Sequence, residues 1–320
     1  MRLFPGQRPL LLLLFAVLSD AVCTAVSPDP RILSLVPPGA EVVAGMGASS
    51  GPEHSSDFLV VDHNNIVDLN DFYALTGVDS AQVIREIIFV AAAAGKDRLV
   101  EHSLLVSGSF DQARIYKSSI ENGAALEDYG KIRVVVVQPF ARERSNFNDV
   151  RWLAILDSHI LIFGTIESVR QEIDRYLTHN KADSSLLEKL DRLRRDDETW
   201  CVLTIGAQNS KVKNVLMALD PKLAELAGKG DTFQFGIRYG RYIEFEYEIT
   251  TASSHTALAM SSWLTQSFAG LEKESALLRR PEAISEGTTV HGVIKISMSR
   301  YNAWLTEVLA RGRGRNAVLP

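Results

Sequence analysis

Apolar and polar positions alternate most clearly between residues 151 and 177. Two apolar runs, 152–156 and 160–163, flank the polar break Asp157-Ser158-His159, which is typical of a β-hairpin. Apolar residues then recur at three- and four-residue spacing, at Ile166, Val169, Ile173 and Leu177. This spacing predicts an amphipathic helix that is capped by Thr165 and packs on the sheet of the hairpin. The polar side of that helix is expected to carry Arg170, Glu172, Asp174 and Arg175.

Similar parts occur along the rest of the chain after a short linker at 27–34. Strands are predicted at 41–46, 58–61, 87–90, 104–106, 131–137, 199–205, 233–239, 242–249 and 290–296. Helices are predicted at 69–75, 111–120, 186–193, 211–219, 221–227, 255–268 and 299–309. In 242–249, glutamates alternate with apolar residues, the period of a strand with one face in water.

These parts predict an α+β protein. Three strand–turn–helix segments, starting at Leu104, Val202 and Gly292, are alike, and so are two hairpin-plus-helix units starting at Trp152 and Phe233. We therefore expect two related halves, each an antiparallel sheet built from hairpins with helices packed on one face. The alternative, that common parts recur by coincidence, stays open. The predicted organisation is a signal peptide (1–25), the two halves (26–180 and 181–310) and a basic flexible tail (311–320).

The amino terminus has the three regions of a signal peptide. Arg2 and Arg8 precede an unbroken apolar run, 10–18, and small residues follow up to Ala25. This pattern predicts export to the periplasm or the medium, with cleavage after Ala25 or after Cys23. Two alternatives stay open, an uncleaved anchor and a lipidated Cys23. The second has Asp20 where lipoprotein signals usually carry a leucine-like residue.

Composition and charge exclude some functions. The chain has 320 residues, 46% hydrophobic and 23% charged, with a formal net charge of −5. Loss of residues 1–25 would remove two arginines and one aspartate, giving −5 − 2 + 1 = −6. A mildly acidic chain lacks the basic footprint of a nucleic-acid-binding protein, and no segment after residue 26 is expected to span a membrane. Arg311, Arg313 and Arg315 indicate a solvated tail or a weak contact with an anionic surface.

Candidate chemistry is sparse. Asp62, Asn64 and Asp68 are weak candidates for calcium ligands, but turn formation and helix capping explain them, so we expect neither a metal nor a cofactor. The string at 47–51 matches a nucleophile elbow, yet Pro52 follows where the elbow requires a helix. Cys201, the only cysteine after residue 25, is expected to be a buried small hydrophobe.

Two stretches carry a resemblance. LVPPGAEVVAGM, with its VPPGA-strand motif, and WLAILDSHILIFGT resemble parts of exported bacterial proteins whose function has not been assigned. The resemblance implies an envelope-associated α+β protein. It brings no catalytic residues to this chain.

The leading interpretation is an exported, non-catalytic protein that binds or scaffolds an envelope protein or a small ligand. A sheet face lined by Tyr239, Tyr242 and Tyr247 would favour it. One alternative is an envelope hydrolase, indicated if His63 or His159 meets a carboxylate and a hydroxyl. Another is an oligomerisation module that pairs through an exposed sheet edge.

Overall fold

A computed structural model describes residues 28–47, 72, 75–78, 83–92, 101–138, 150–193, 197–204, 230–274 and 278–300. These residues form one antiparallel sheet of twelve strands. The strands are β1 Val42–Gly47, β2 Ile84–Ala92, β3 Glu101–Gly108, β4 Ala125–Tyr129, β5 Ile132–Val137, β6 Arg151–Ile155, β7 Ile160–Thr165, β8 Thr199–Thr204, β9 Gly230–Arg238, β10 Tyr242–Thr251, β11 Leu278–Glu286 and β12 Thr289–Ser297. The helices are α1 Pro30–Leu33, α2 Gln112–Glu121, α3 Ile166–Leu177, α4 Ser184–Leu190 and α5 Ser254–Glu274.

Strand order across the sheet is β11-β12-β10-β9-β8-β1-β2-β3-β7-β6-β5-β4. β1 and β8 lie side by side, with Val43 opposite Val202. The strands β2 to β7 therefore lie on one side of this pair, and the strands β9 to β12 lie on the other.

The hairpin and helix between residues 151 and 177 form as the sequence predicts. Asp157 Oδ1 accepts hydrogen bonds from the backbone N–H groups of His159 and Ile160, at 2.6 and 2.9 Å, which closes the β6–β7 turn. Thr165 caps α3, because its hydroxyl accepts the backbone N–H of Ser168 at 3.4 Å.

The two faces of the sheet are covered by different helices. Face A is the side that carries Val43, Ile88 and Leu105, and residues of α1, α3 and α4 pack on it. Face B is the side that carries Ala44, Phe89 and Leu104; α2 packs on its first part and α5 on its second part. The mixed architecture with an antiparallel sheet is thus confirmed.

The expectation of helices on one face is wrong. α3 lies on face A, whereas α2 and α5 lie on face B. The physical reason is that strands such as β6 are buried on both sides, so each face needs its own cover. The sheet is also continuous rather than split in two, and a domain boundary at 180/181 stays a prediction.

Three elements were not predicted. α1 lies in the expected linker, where Asp29 caps it and Ile32 and Leu33 are buried. β4 and β11 form the two sheet edges, and their polar sequences hide the strand period.

Several expectations fall outside the described residues and stay predictions. They are the signal peptide 1–25, the tail 311–320, the strand 58–61, the helices 211–219 and 221–227, and the candidates Asp62, His63, Asn64 and Asp68. Within the described ranges, none of the helices has the length and apolar character needed to cross a bilayer.

A close contact joins the two central strands. Gly45 of β1 lies opposite Trp200 of β8, and a Cβ at Gly45 would lie 2.3 Å from the Trp200 ring. The ring is 4% exposed and packs among the face A core. Only glycine at this position leaves room for the indole where it lies.

We expect Gly45→Ala to lower the free energy of unfolding by about 1 to 3 kcal/mol, because the new methyl group overlaps a buried ring. Denaturant unfolding measures the change. Gly240→Ala is the matched control, since its Cβ would meet nothing closer than 3.8 Å. Equal losses in the two variants would contradict the steric explanation.

Candidate functional site

Two glutamates are buried on face A beneath the elements that cover it. Glu86 of β2 and Glu172 of α3 are each 1% exposed. Carboxyl groups are almost never fully buried unless a cation or hydrogen bonds compensate them. These two groups therefore stand out among the buried polar side chains of the described structure.

Glu172 faces the sheet from α3. Its Oε1 accepts a hydrogen bond from the Ser103 hydroxyl on β3, and its Oε2 has no hydrogen-bond partner among the described residues. Burial raises the pKa of the Glu172 carboxyl to about 8, and the hydrogen bond from Ser103 opposes that change only in part. The group is consequently neutral at pH 7.

Glu86 lies under the segment that contains α1. Its Oε2 accepts the backbone N–H of Asp29 at 3.0 Å, and its Oε1 lacks a hydrogen-bond partner among the described residues. Burial raises the pKa of Glu86 to about 7; the bond from Asp29 and the charge of Arg85 lower it, while the charge of Asp29 raises it further. The carboxyl thus changes charge near neutral pH.

The prediction that Glu172 lies on the polar side of α3 is wrong. The apolar stripe is wider than the sequence suggested, because Val169, Glu172 and Ile173 are all buried. The signal that might have shown this is position, since Glu172 lies three residues after Val169 and next to Ile173, on one helical face. No sequence pattern indicated that Glu86 is buried, because it follows the charged residue Arg85 at the start of a strand.

A polar strip occupies face A on β9, β10 and β12, beyond the helix-covered part. Glu244 binds Lys295 at 3.0 Å and also pairs with Arg238. Glu248 binds Arg192 at 3.0 Å and His291 at 3.3 Å. Each of these two carboxylates is therefore fixed between two basic side chains on an accessible surface.

Among the described residues, the His159 ring is not hydrogen-bonded to a carboxylate or a hydroxyl, as the hydrolase alternative would require. Its ring nitrogen Nδ1 lies 3.1 Å from the carbonyl of Gly108. The neighbouring Asp157 carboxylate instead bonds backbone N–H groups and the Tyr176 hydroxyl, the latter at 3.4 Å. The arrangement is that of a hairpin turn.

The three tyrosines whose presence on one sheet face would favour a binding surface lie on different faces. Tyr247 is 4% exposed and belongs to the face B core under α5, where Tyr239 also packs. Tyr242 follows the opposite parity along β10, on the side of Glu244. These three tyrosines do not form an aromatic platform, so that feature does not favour the binding interpretation.

The described part of the chain contains neither a cluster of metal ligands nor an accessible thiol. There, no group of three or more His, Cys, Asp and Glu side chains is placed to hold a metal ion. Cys201 is buried, as the sequence suggested, and burial raises the pKa of its thiol to about 12. A thiol in that environment is unreactive.

Comparison with known proteins defines the fold class alone. No protein-family model and no curated protein matches the chain. Among solved structures, the chain is similar to crystal form I of TP0453, with 12% sequence identity and a TM-score of 0.50. The alignment covers 88% of this chain and 98% of that chain. The likeness therefore extends over most of both folds.

We expect the stability of the protein to fall as pH rises from 5 to 8. The folded state holds the Glu172 proton up to about pH 8, whereas the unfolded chain releases it near pH 4.5. The contribution of the Glu172 proton to the free energy of unfolding is thus fully present below pH 4.5 and is lost as pH rises toward 8. Glu172→Gln should remove roughly 3 to 5 kcal/mol of this dependence.

Denaturant unfolding at pH 5 and pH 8 measures the effect. Glu167→Gln, an exposed change on the same helix, is the control and should keep the wild-type slope. A Glu172→Gln protein with an unchanged slope would show that Glu172 is ionised in the fold.

Proposed function

We propose that the protein is an exported, non-catalytic binding or scaffolding protein of the cell envelope, and that a protein partner contacts the polar strip. Export rests on the signal-peptide pattern of residues 1–25. The resemblance to exported bacterial proteins of unassigned function points the same way. A small ligand is the alternative partner.

The proposal rests on the charged side chains that ion pairs hold in place on the polar strip. Glu244 and Glu248 are each held by two basic groups, and the side chains of Lys295 and His291 remain 47% exposed. Surface ion pairs of this kind add little stability. Preoriented charges instead favour recognition of a complementary polar surface, since less side-chain ordering is needed on binding.

The strip also borders an exposed apolar side chain. Ile284 of edge strand β11 lies opposite His291 and is 56% exposed. An apolar group beside paired charges matches the general composition of protein interfaces, with a less polar centre and a polar rim.

Edge-to-edge oligomerisation has less support. β4 is short and carries the exposed residues Glu127 and Asp128. β11 contains Pro281, and its register shifts between Arg279 and Glu282. Charges, proline and bulges at edge strands hinder pairing with another chain.

Site-specific photocrosslinking in intact cells tests the partner proposal. A photoreactive residue at Ile284 or His291 should give a discrete adduct with an envelope protein. The matched control is Ile120, which is 51% exposed on α2 at face B. Adducts at Ile120 alone, or at none of the three positions, would contradict the proposed surface.

We further infer that the sheet consists of two related halves. In each half, three consecutive strands (β1 to β3 and β8 to β10) precede a face B helix, α2 or α5. The chain then reaches a sheet edge, β4 or β11, and returns to pair with the third strand through β7 or β12. The shared order supports a repeat.

If the halves are separate units, fragments 26–180 and 181–320 should associate when they are produced together, because β1 and β8 can still pair. Co-purification of one tagged fragment with the other measures this. Gly45→Ala in the first fragment should weaken recovery, whereas Gly240→Ala in the second fragment, outside the β1–β8 pair and with no atom closer than 3.8 Å to its new Cβ, should not. Fragments that do not associate would count against the two-unit organisation.

A further inference from the structure

Residues 28–40 form a strap across face A. The strap contains α1, and its residues Ile32, Leu33, Leu35 and Val36 are all at most 4% exposed. They pack in one cluster with Ile88 and Leu105 of the sheet. Without the strap, this apolar part of the sheet would lose its cover.

Between described residues, hydrogen bonds to the sheet and to α3 hold the strap in place. Asp29 N–H bonds Glu86 Oε2 at 3.0 Å, and Arg175 Nε of α3 donates to the Ser34 carbonyl at 3.0 Å. Glu41 N–H, just past the strap, bonds the Ala91 carbonyl of β2 at 2.9 Å. The amino-terminal end of the strap therefore depends on Glu86 for its polar contact with the sheet.

The surroundings of Glu86 favour its neutral form. The strap contributes Asp29 and Arg31, which bind each other at 2.9 Å, so the arginine is engaged. On its own strand, Arg85 is exposed. The cross-strand neighbours of Glu86 are Ser107 of β3 and Gly47 of β1, neither of them charged. An ionised Glu86 would face the Asp29 carboxylate in a site that water scarcely reaches.

We propose that the strap is a pH-dependent cover of face A, closed while Glu86 is protonated and opened when Glu86 loses its proton. Opening brings water to the carboxylate and separates it from Asp29, while the central strands stay paired. Opening exposes the apolar surface of the sheet around Ile88 and Leu105. This inference does not depend on the polar strip or its partner.

The direction follows from proton linkage. In the closed state the pKa of Glu86 is about 7, against 4.5 for an accessible glutamate. A raised pKa means that the closed state is most favoured at low pH and loses that advantage as pH rises toward 7. The fraction of open strap should increase on the order of fiftyfold between pH 5 and pH 7.5 and change little above that.

Hydrogen exchange of the full mature chain, corrected for the intrinsic pH dependence of amide exchange, measures this opening. We expect protection of the strap amides to fall on the order of fiftyfold from pH 5 to pH 7.5. Amides of β3, such as those of Leu104 to Val106, should keep a higher protection throughout. Glu86→Gln should leave strap protection independent of pH, because the amide has no proton to lose.

Glu172→Gln is the matched control, since it removes another buried carboxyl of face A and should leave the strap response intact. Strap protection that does not change with pH in the wild type would overturn the proposal. So would an equal fall in Glu86→Gln, or a fall shared by the β3 amides, which would indicate global unfolding. If Glu86→Gln does not fold, Arg85→Gln offers a second variant at an exposed position. It removes a positive charge that lowers the pKa of Glu86, so the fall in strap protection should shift to higher pH, and an unchanged midpoint would count against Glu86 as the titrating group.

Discussion

The pairing of β1 with β8 is the contact on which the rest of the sheet depends. β1 also pairs with β2, and β8 also pairs with β9. These two strands therefore join the group β2 to β7 to the group β9 to β12. They are far apart in the chain, and long-range pairing requires the closure of a long loop. At the centre of the contact the Trp200 ring lies over Gly45, where a Cβ would be 2.3 Å from the ring. The absence of a side chain at Gly45 therefore allows the two strands and the indole to pack without overlap.

A continuous sheet imposes the next constraint, which is cover on both faces. Central strands such as β6 and β7 are apolar on both sides, so helices are needed above and below them. The cover differs along face A. Helices lie over the first part, while the strands β9, β10 and β12 carry charged side chains on that face. The same sheet surface therefore serves as core in one part and as accessible surface in the other.

Local patterns were enough to predict most elements but not their arrangement. The β6–β7 hairpin and α3 follow from short-range rules, namely apolar period, turn residues and the Thr165 cap. The β1–β8 pairing is not encoded locally, and neither is the face on which each helix lies. β4 and β11 were missed because edge strands are polar or contain proline, which reduces the alternating pattern.

Buried carboxyl groups were the hardest feature to predict. Glu172 looks like a surface residue in the sequence because its neighbours Asp174 and Arg175 are charged. Only the tilt and position of α3 on the sheet decide that its side chain points toward Ser103. Likewise, Glu86 is buried because a segment from elsewhere in the chain covers it. Such burial is a tertiary property, and one sequence alone does not reveal it.

The location of Glu86 and Glu172 bears on how the fold responds to pH. An apolar residue at either position would avoid the cost of burying a carboxyl group. Both acids lie between the sheet and a covering element, Glu86 under the strap and Glu172 under α3, and neither lies between two strands. The backbone pairing of the sheet therefore does not depend on their charge. Protonation acts on the attachment of the cover, so one face can loosen while the twelve-stranded sheet persists.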